Sequence, residues 1–164
     1  MDARGRRSLV DEEVGTASTA AVAADRAALA QLAAAYAQAW NDHDVDALVA
    51  MQADDMVFRL HLEGSEPTSG APALRALYDF FFRAMPDYHA DLISEIVFEN
   101  GFVWQYTITA TLAEPFPIGN LVGRPTGAPA RFDAVDVLTC VAGKVATKHT
   151  WVDGFAMHRG MSFG

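Results

Sequence analysis

Asp136 stands in the middle of an apolar run. Ala134 and Val135 precede it and Val137 and Leu138 follow, a pattern expected of a strand that is apolar on both faces. A carboxyl group in such a place must find a partner or a ligand, because a polar group left unpaired in an apolar interior is costly. Asp136 is therefore the leading candidate for an acid or base; a structural hydrogen bond or ion pair is the bland alternative. Further along, Lys148 and Thr150 fall on the inward side of a strand by ungapped alternation, and His149 and Trp151 fall on the other. Histidine as a residue type has an unperturbed pKa of about 6.5, which makes His149 a candidate for proton transfer near neutrality. A one-residue bulge would turn it inward, since a slip of one exchanges the faces. Lys148 could pair with Asp136 or an anionic substrate, but the role expected for it is that of a rim lysine covering apolar surface with its stem. His61 is a lesser candidate, opposite Phe58 and Leu60 by alternation. Trp104, Tyr106 and Ile108 share one strand face with Ala110, and an aromatic wall of this kind suits a polycyclic or terpenoid ligand or fills a core. With Trp40, Phe58, Leu60, Leu138, Lys148 and Thr150 they make up the predicted substrate-contacting set.

The elements that must position these residues follow from periodicity. Ala23 to Trp40 is Ala-rich, and Leu29, Leu32, Tyr36 and Trp40 form one apolar stripe of a helix. Asn41-Asp42-His43-Asp44 ends it, and Asp44 can cap a short second helix that buries Val45, Leu48 and Val49. Met56 to Leu62 alternates as a half-buried strand. Pro72 suits the first turn of a third helix, with Leu74, Leu77, Tyr78, Phe81 and Met85 on one face and Pro86 at its end. Strands are predicted over Tyr88 to Phe98, Phe102 to Leu112, Arg131 to Val141 and Val145 to Val152, with turns at Glu99-Asn100-Gly101 and Ala142-Gly143-Lys144. Three helices followed by a curved antiparallel meander exclude a doubly wound parallel sheet, which needs a helix between successive strands. The order suits an α+β cone, a sheet wrapped around helices.

Composition narrows the partners. With 164 residues there is room for one domain, predicted over 21–164, behind a flexible polar tail over 1–20 that lacks apolar periodicity. A net charge of -9 argues against a nucleic-acid partner. No apolar run approaches membrane-spanning length, and no apolar segment follows Arg4, Arg6 and Arg7 as a signal peptide would require. A cytoplasmic location is expected. The single Cys140 reads as a small core residue. His89 and His158, with Asp87 and Asp91 near the former, lack the spacing of a metal site, so neither metal nor cofactor is expected.

Tyr36-Ala-Gln-Ala-Trp-Asn-Asp-His-Asp-Val-Asp-Ala-Leu, followed by Ala53-Asp-Asp, resembles the opening helices of nuclear transport factor 2-like proteins, including ketosteroid isomerases. Met85-Pro-Asp-Tyr, the loop Gly119-Asn-Leu-Val-Gly-Arg-Pro-Thr-Gly127, and Val135-Asp-Val-Leu-Thr-Cys-Val-Ala-Gly-Lys-Val with Trp151-Val-Asp153 resemble the SnoaL-like polyketide cyclases. The resemblance covers roughly residues 28–153 and implies the cone fold. It places Tyr36 at the phenolic oxyanion-hole donor of the isomerases. Asp136 falls at the carboxyl partner of that donor, and at a catalytic-site histidine of the cyclases. The implied arrangement is a tyrosine and a neutral aspartic acid donating hydrogen bonds to a forming enolate. Three departures prevent a direct transfer of mechanism. Leu60 stands where the isomerase has its general base, Thr150 where cyclases and limonene-epoxide-hydrolase-type enzymes carry an aspartate, and Tyr106 and Ile108 where the hydrolase has its arginine and aspartate.

The expected function is a cofactor-independent SnoaL-like cyclase or isomerase acting by acid–base chemistry on a small apolar, polyketide- or terpenoid-like molecule, with Asp136, Tyr36 and His149 as catalytic candidates. The rivals are a ligand-binding or accessory protein with the same pocket, an epoxide hydrolase or dehydratase with an altered catalytic set, and an assembly module. Val135, Val137 and Val141 beside Trp151 form an outward apolar patch, which predicts a homodimer.

Overall fold

The computed structural model describes the backbone of residues 9–164 and the side chains from Asp25 onward. Helix α1 runs Leu9–Asn41, α2 Val45–Ala50, α3 Ala71–Ala84 and α4 Gly154–Met161. The strands are β1 Gln52–Leu60, β2 Thr68–Ser69, β3 His89–Phe98, β4 Gly101–Ala110, β5 Phe116–Ile118, β6 Leu121–Gly123, β7 Ala130–Val141 and β8 Lys144–Val152. Six of them form one sheet in the order β2-β1-β8-β7-β4-β3, and β5 pairs with β6 in a separate hairpin. The β3-β4-β7-β8 run is the predicted antiparallel meander, joined by β1 in parallel with β8.

Two expectations change here. Helix α1 begins at Leu9 and not at Ala23, so residues 9–20 are helical where a flexible tail was expected; the alanines at 17, 20, 21, 23 and 24 sustain helix propensity through a stretch with no apolar stripe. The remaining tail residues, 1–8, lie outside the described residues. The chain also does not end on a strand. Asp153 accepts a hydrogen bond from the Ala156 amide at 3.0 Å and caps α4, whose Met157 and Met161 are buried. This helix and the β5-β6 hairpin had no counterpart in the pattern reading.

The elements meet around the cone's interior. Tyr36 and Trp40 of α1, Tyr78 of α3 and the inward rows of β4 and β7 form a single buried cluster. The end of α1 is tied to the edge of β3: the Asn41 side chain donates to the Ala90 carbonyl at 3.1 Å and accepts from the Ala90 amide at 2.8 Å. Asp44 caps α2 as expected, accepting from the Ala47 amide at 2.8 Å. Between β7 and β8, Ala142 (φ 50) and Gly143 (φ 74) adopt left-handed conformations, which match the twist of a tight hairpin. Among the described residues no helix is long and apolar enough to cross a membrane.

Candidate active site

Strand β7 alternates between buried and exposed positions along its length, and its inward row includes Phe132, Ala134, Asp136 and Leu138. Asp136 is 1% exposed. Its register partner on β8 is Thr150, whose hydroxyl donates to Asp136 Oδ1 at 2.5 Å. Lys148, one inward position earlier on β8, places its Nζ 2.9 Å from Asp136 Oδ2. The ammonium also sits over the Trp40 ring, 4.1 Å from its centroid, with the Phe58 ring centroid at 5.5 Å. Both oxygens of the carboxylate are thus held by charge-assisted donors.

This arrangement revises three expectations. Lys148 is not a rim lysine: it is 4% exposed and pairs with Asp136. Asp136 is not a lone neutral acid, because an ammonium at ion-pair distance replaces the expected phenol partner. Tyr36, fully buried, stands elsewhere, accepting a hydrogen bond from Gln52 Nε2 at 2.6 Å, while the same amide nitrogen donates to the Tyr78 hydroxyl at 2.8 Å. Tyr36 stacks on Trp104 at 6.1 Å and does not line the cavity beside Asp136. The phenol that does border Asp136 is Tyr106, whose pKa lies well above its ordinary value because of burial first and the Asp136 charge second.

His149 remains on the outer face. Strand β8 does carry a one-residue bulge, at Ala146, since Thr147 pairs with Thr139 and Val145 with Cys140. The bulge lies upstream of the histidine, so Lys148 and Thr150 share the inside with Asp136, and His149 pairs outside with Val137. There His149 Nδ1 is 2.8 Å from His61 Nε2, and the His61 ring stacks on Trp151 at 4.1 Å. His61 is therefore also outside the pocket. Its pKa is lowered by desolvation first, then by His149 and Arg59.

The interior space has two lobes that share Trp40, Tyr88, Tyr106 and Lys148. The smaller, about 330 Å³ with its open mouth, reaches Asp136 and Trp104. The larger, about 540 Å³ on the same basis, is lined by Phe58, Leu60, Ile108, Thr150 and residues from β5, β7 and α4. Of the predicted contact set, Trp40, Phe58, Leu60, Trp104, Tyr106, Ile108, Lys148 and Thr150 border these lobes, whereas Leu138 packs into the core away from them. Pattern reading missed Tyr88, Phe116, Ile118, Phe132, Met157 and Met161. The signal for the last two was present: Asp153 followed by methionines four residues apart describes a capped helix with one apolar face.

A buried carboxylate on the wall of the smaller lobe, held by a threonine and by the lysine that both lobes share, can exchange protons with an oxygen or carbon of a bound ligand. The sequence model of the SnoaL-like domain matches residues 33–148. The chain belongs to the SnoaL-like domain family. Among solved structures, this SnoaL-like chain is similar to a proposed SnoaL-like polyketide cyclase from Jannaschia sp. CCS1, with 16% identity, a TM-score of 0.71, and 83% of this chain and 92% of the other covered. AclR, a proposed hydroxylase from Streptomyces galilaeus, has 22% identity and a TM-score of 0.67 over 85% of each chain. An LEH-like epoxide hydrolase of M. tuberculosis has 14% identity and a TM-score of 0.64, covering 82% and 89%. No curated protein matches the chain. At these identities the likenesses establish the fold, and the differing names show one SnoaL-like architecture associated with several chemistries.

Proposed function

We propose that this SnoaL-like protein is a cofactor-independent acid–base enzyme of the cyclase or isomerase kind, acting on a small apolar carbonyl compound of polyketide- or terpenoid-like character. The observation that carries the reading is the Asp136–Lys148 pair: two charged groups, 1% and 4% exposed, that border an otherwise apolar, aromatic cavity. A core that needed only packing would be served as well by apolar residues, since buried ion pairs seldom add net stability. Asp136 is assigned the proton transfer, and Lys148 and Tyr106 the polarisation of a substrate oxygen. The aromatic walls set the ligand's orientation. The binding-only reading draws on Leu60 and Thr150, which place no carboxyl at either position where the resemblance implies one.

Proton exchange separates the two readings whatever the final product is. Apolar ketones and aldehydes incubated with the protein in deuterated water should take up deuterium at the α-carbon, followed by NMR. Asp136→Asn should lower that rate by on the order of 10² to 10⁴ at a temperature where the variant is folded. Compounds that bind without any protein-dependent exchange would favour a binding protein. We further propose that a second copy covers the outer sheet face, where Val135, Val141 and Trp151 are 37%, 64% and 42% exposed. Sedimentation should then report twice the 17.7 kDa chain mass; a monomer at tens of micromolar would exclude the dimer.

A further inference from the structure

The chain has two lysines, and their surroundings are opposite. Lys144 is exposed at the start of β8, whereas Lys148 is buried and borders both lobes of the cavity. A charge needed only to hold Asp136 or a substrate oxygen could be supplied by arginine, which appears ten times in this sequence. Lysine differs in one chemical respect. Its amine can lose a proton and attack carbon, which a guanidinium does not do. The position supplies what such an amine requires: an acceptor for the proton at 2.9 Å, Asp136 Oδ2, and ring faces of Trp40 and Phe58 on other sides of the nitrogen.

Resting on the reading that the pocket takes an apolar carbonyl compound, we infer that Lys148 forms a Schiff base with an aldehyde or ketone substrate and that Asp136 carries the protons. A ligand that fills the lobes and excludes water raises the cost of the separated charges, which favours transfer of a proton from the ammonium to the carboxylate. The amine lone pair then attacks the carbonyl carbon, and the π electrons move to oxygen, which takes the proton from Asp136. Asp136 next removes a proton from nitrogen and delivers it to the new hydroxyl. That group leaves as water while the nitrogen lone pair closes the carbon–nitrogen double bond. Ammonium plus carbonyl compound has become iminium plus water, with the charge unchanged and Asp136 again a carboxylate. The iminium acidifies the neighbouring C–H, so Asp136 can take that proton and leave an enamine, a carbon nucleophile suited to ring closure onto a second carbonyl group. No oxidant or reductant enters. Thr150 is a positioning residue here, fixing the carboxylate through its other oxygen.

The test is reductive trapping on the full chain. The protein is incubated with cinnamaldehyde, citral and 2-undecanone in turn, each with sodium cyanoborohydride, and read by intact mass and peptide mapping. Occupancy is followed separately through quenching of tryptophan fluorescence, since Trp40 and Trp104 line the cavity. The expected product is one adduct per chain, equal in mass to the carbonyl compound less one oxygen, at Lys148 and at least tenfold faster than at Lys144 or the terminal amine. Lys144→Arg should leave it unchanged, and Asp136→Asn should slow it by on the order of 10². Mapping in the wild-type protein decides the matter even if a variant does not fold. Occupancy without an adduct at Lys148, or equal labelling of both lysines, overturns the covalent step and leaves the acid–base reading standing. No occupancy by any of the three removes the substrate class, and with it both readings.

Discussion

Strands β7 and β8 make one antiparallel ladder with two very different sides. Inside, Asp136 faces Thr150 and Leu138 faces Lys148; outside, Val135 faces Trp151 and Val137 faces His149. The inner row buries two charged groups, while the outer row exposes apolar ones. This reverses the usual partition, in which charges are the residues least often buried and large apolar patches are kept from water. Packing alone explains neither side. The inner inversion fits a ligand site, the outer one a surface awaiting a cover, and the period of two in a strand lets a single ladder serve both.

The comparison is broken most severely by removing one member of the inner pair. Lys148→Met keeps an unbranched chain in the cavity wall but leaves the Asp136 carboxylate buried without its cation. The expected loss of stability is about 3–5 kcal/mol, as for other buried pairs that lose one partner. Lys148→Met combined with Asp136→Leu should recover most of it, because the cost lies in the unpaired charge. On the outer row, His149→Phe loses one hydrogen bond to His61 at a half-buried site and should cost only about 0.5–1.5 kcal/mol. Urea denaturation of the four proteins checks the ordering. A loss below about 1 kcal/mol for Lys148→Met would show that the pair does not hold the inner face.

A second effect sharpens the contrast, since all four tyrosines of the chain belong to the interior. Tyr78 is pushed up to about 12, by desolvation first. Tyr36 and Tyr106 are raised well above their ordinary value, by burial first, and Tyr88 is raised by desolvation and then by the charge of Asp136. The sign follows from linkage: phenols raised above the unfolded value of about 10 contribute stability that is complete below that pH and is lost as pH rises through the folded values. Phenolate absorbance should therefore stay silent until the fold gives way at alkaline pH, and then report four groups together. A tyrosine titrating near pH 10 while circular dichroism remains native would contradict this.

Much of the fold was legible because long, periodic segments carry strong signals. The stripe of Leu29, Leu32, Tyr36 and Trp40, the alternation of β4 and the glycine turns all identify their elements without tertiary information. Asp136 was legible for the same reason, as the one charge on the inward row of β7. Its partner was placed on the right face but given the wrong role. Ungapped alternation put Lys148 and Thr150 on the inner face, where they are found, because the bulge at Ala146 lies upstream of both; what alternation did not show is that Lys148 lies deep enough to pair with Asp136 instead of covering the rim. A bulge of one residue leaves no mark in composition or periodicity. The opposite error occurred with Tyr36, where position relative to Asn41 was right for a donor but the hydroxyl is committed to Gln52, a residue 16 positions away. Short elements such as β5 and β6, three residues each, fall below the length at which a pattern can be read.

The smallest expected effect belongs to the outer row and to acid rather than alkali. His61 stacks on Trp151, bonds to His149 and lies near Arg59, and desolvation followed by these two neighbours lowers its pKa. In the unfolded chain the ring titrates near 6.5. A lowered folded value means that folding favours the neutral ring, so its contribution is complete above about pH 6.5 and disappears as pH falls through the folded value. The hydrogen bond gives the same direction, because one ring nitrogen must accept, and two fully protonated imidazoles have no acceptor to offer each other. Other groups also titrate on the way down, so the quantity to measure is a difference. His61→Phe keeps the ring stacked on Trp151 and removes the titration. The gap in melting temperature between wild type and this variant should shift against the wild type as pH is lowered from 7.5 to 5.5. An NMR midpoint for His61 at or above 6.5, with no change in that gap, would show that the outer cluster is held by stacking alone.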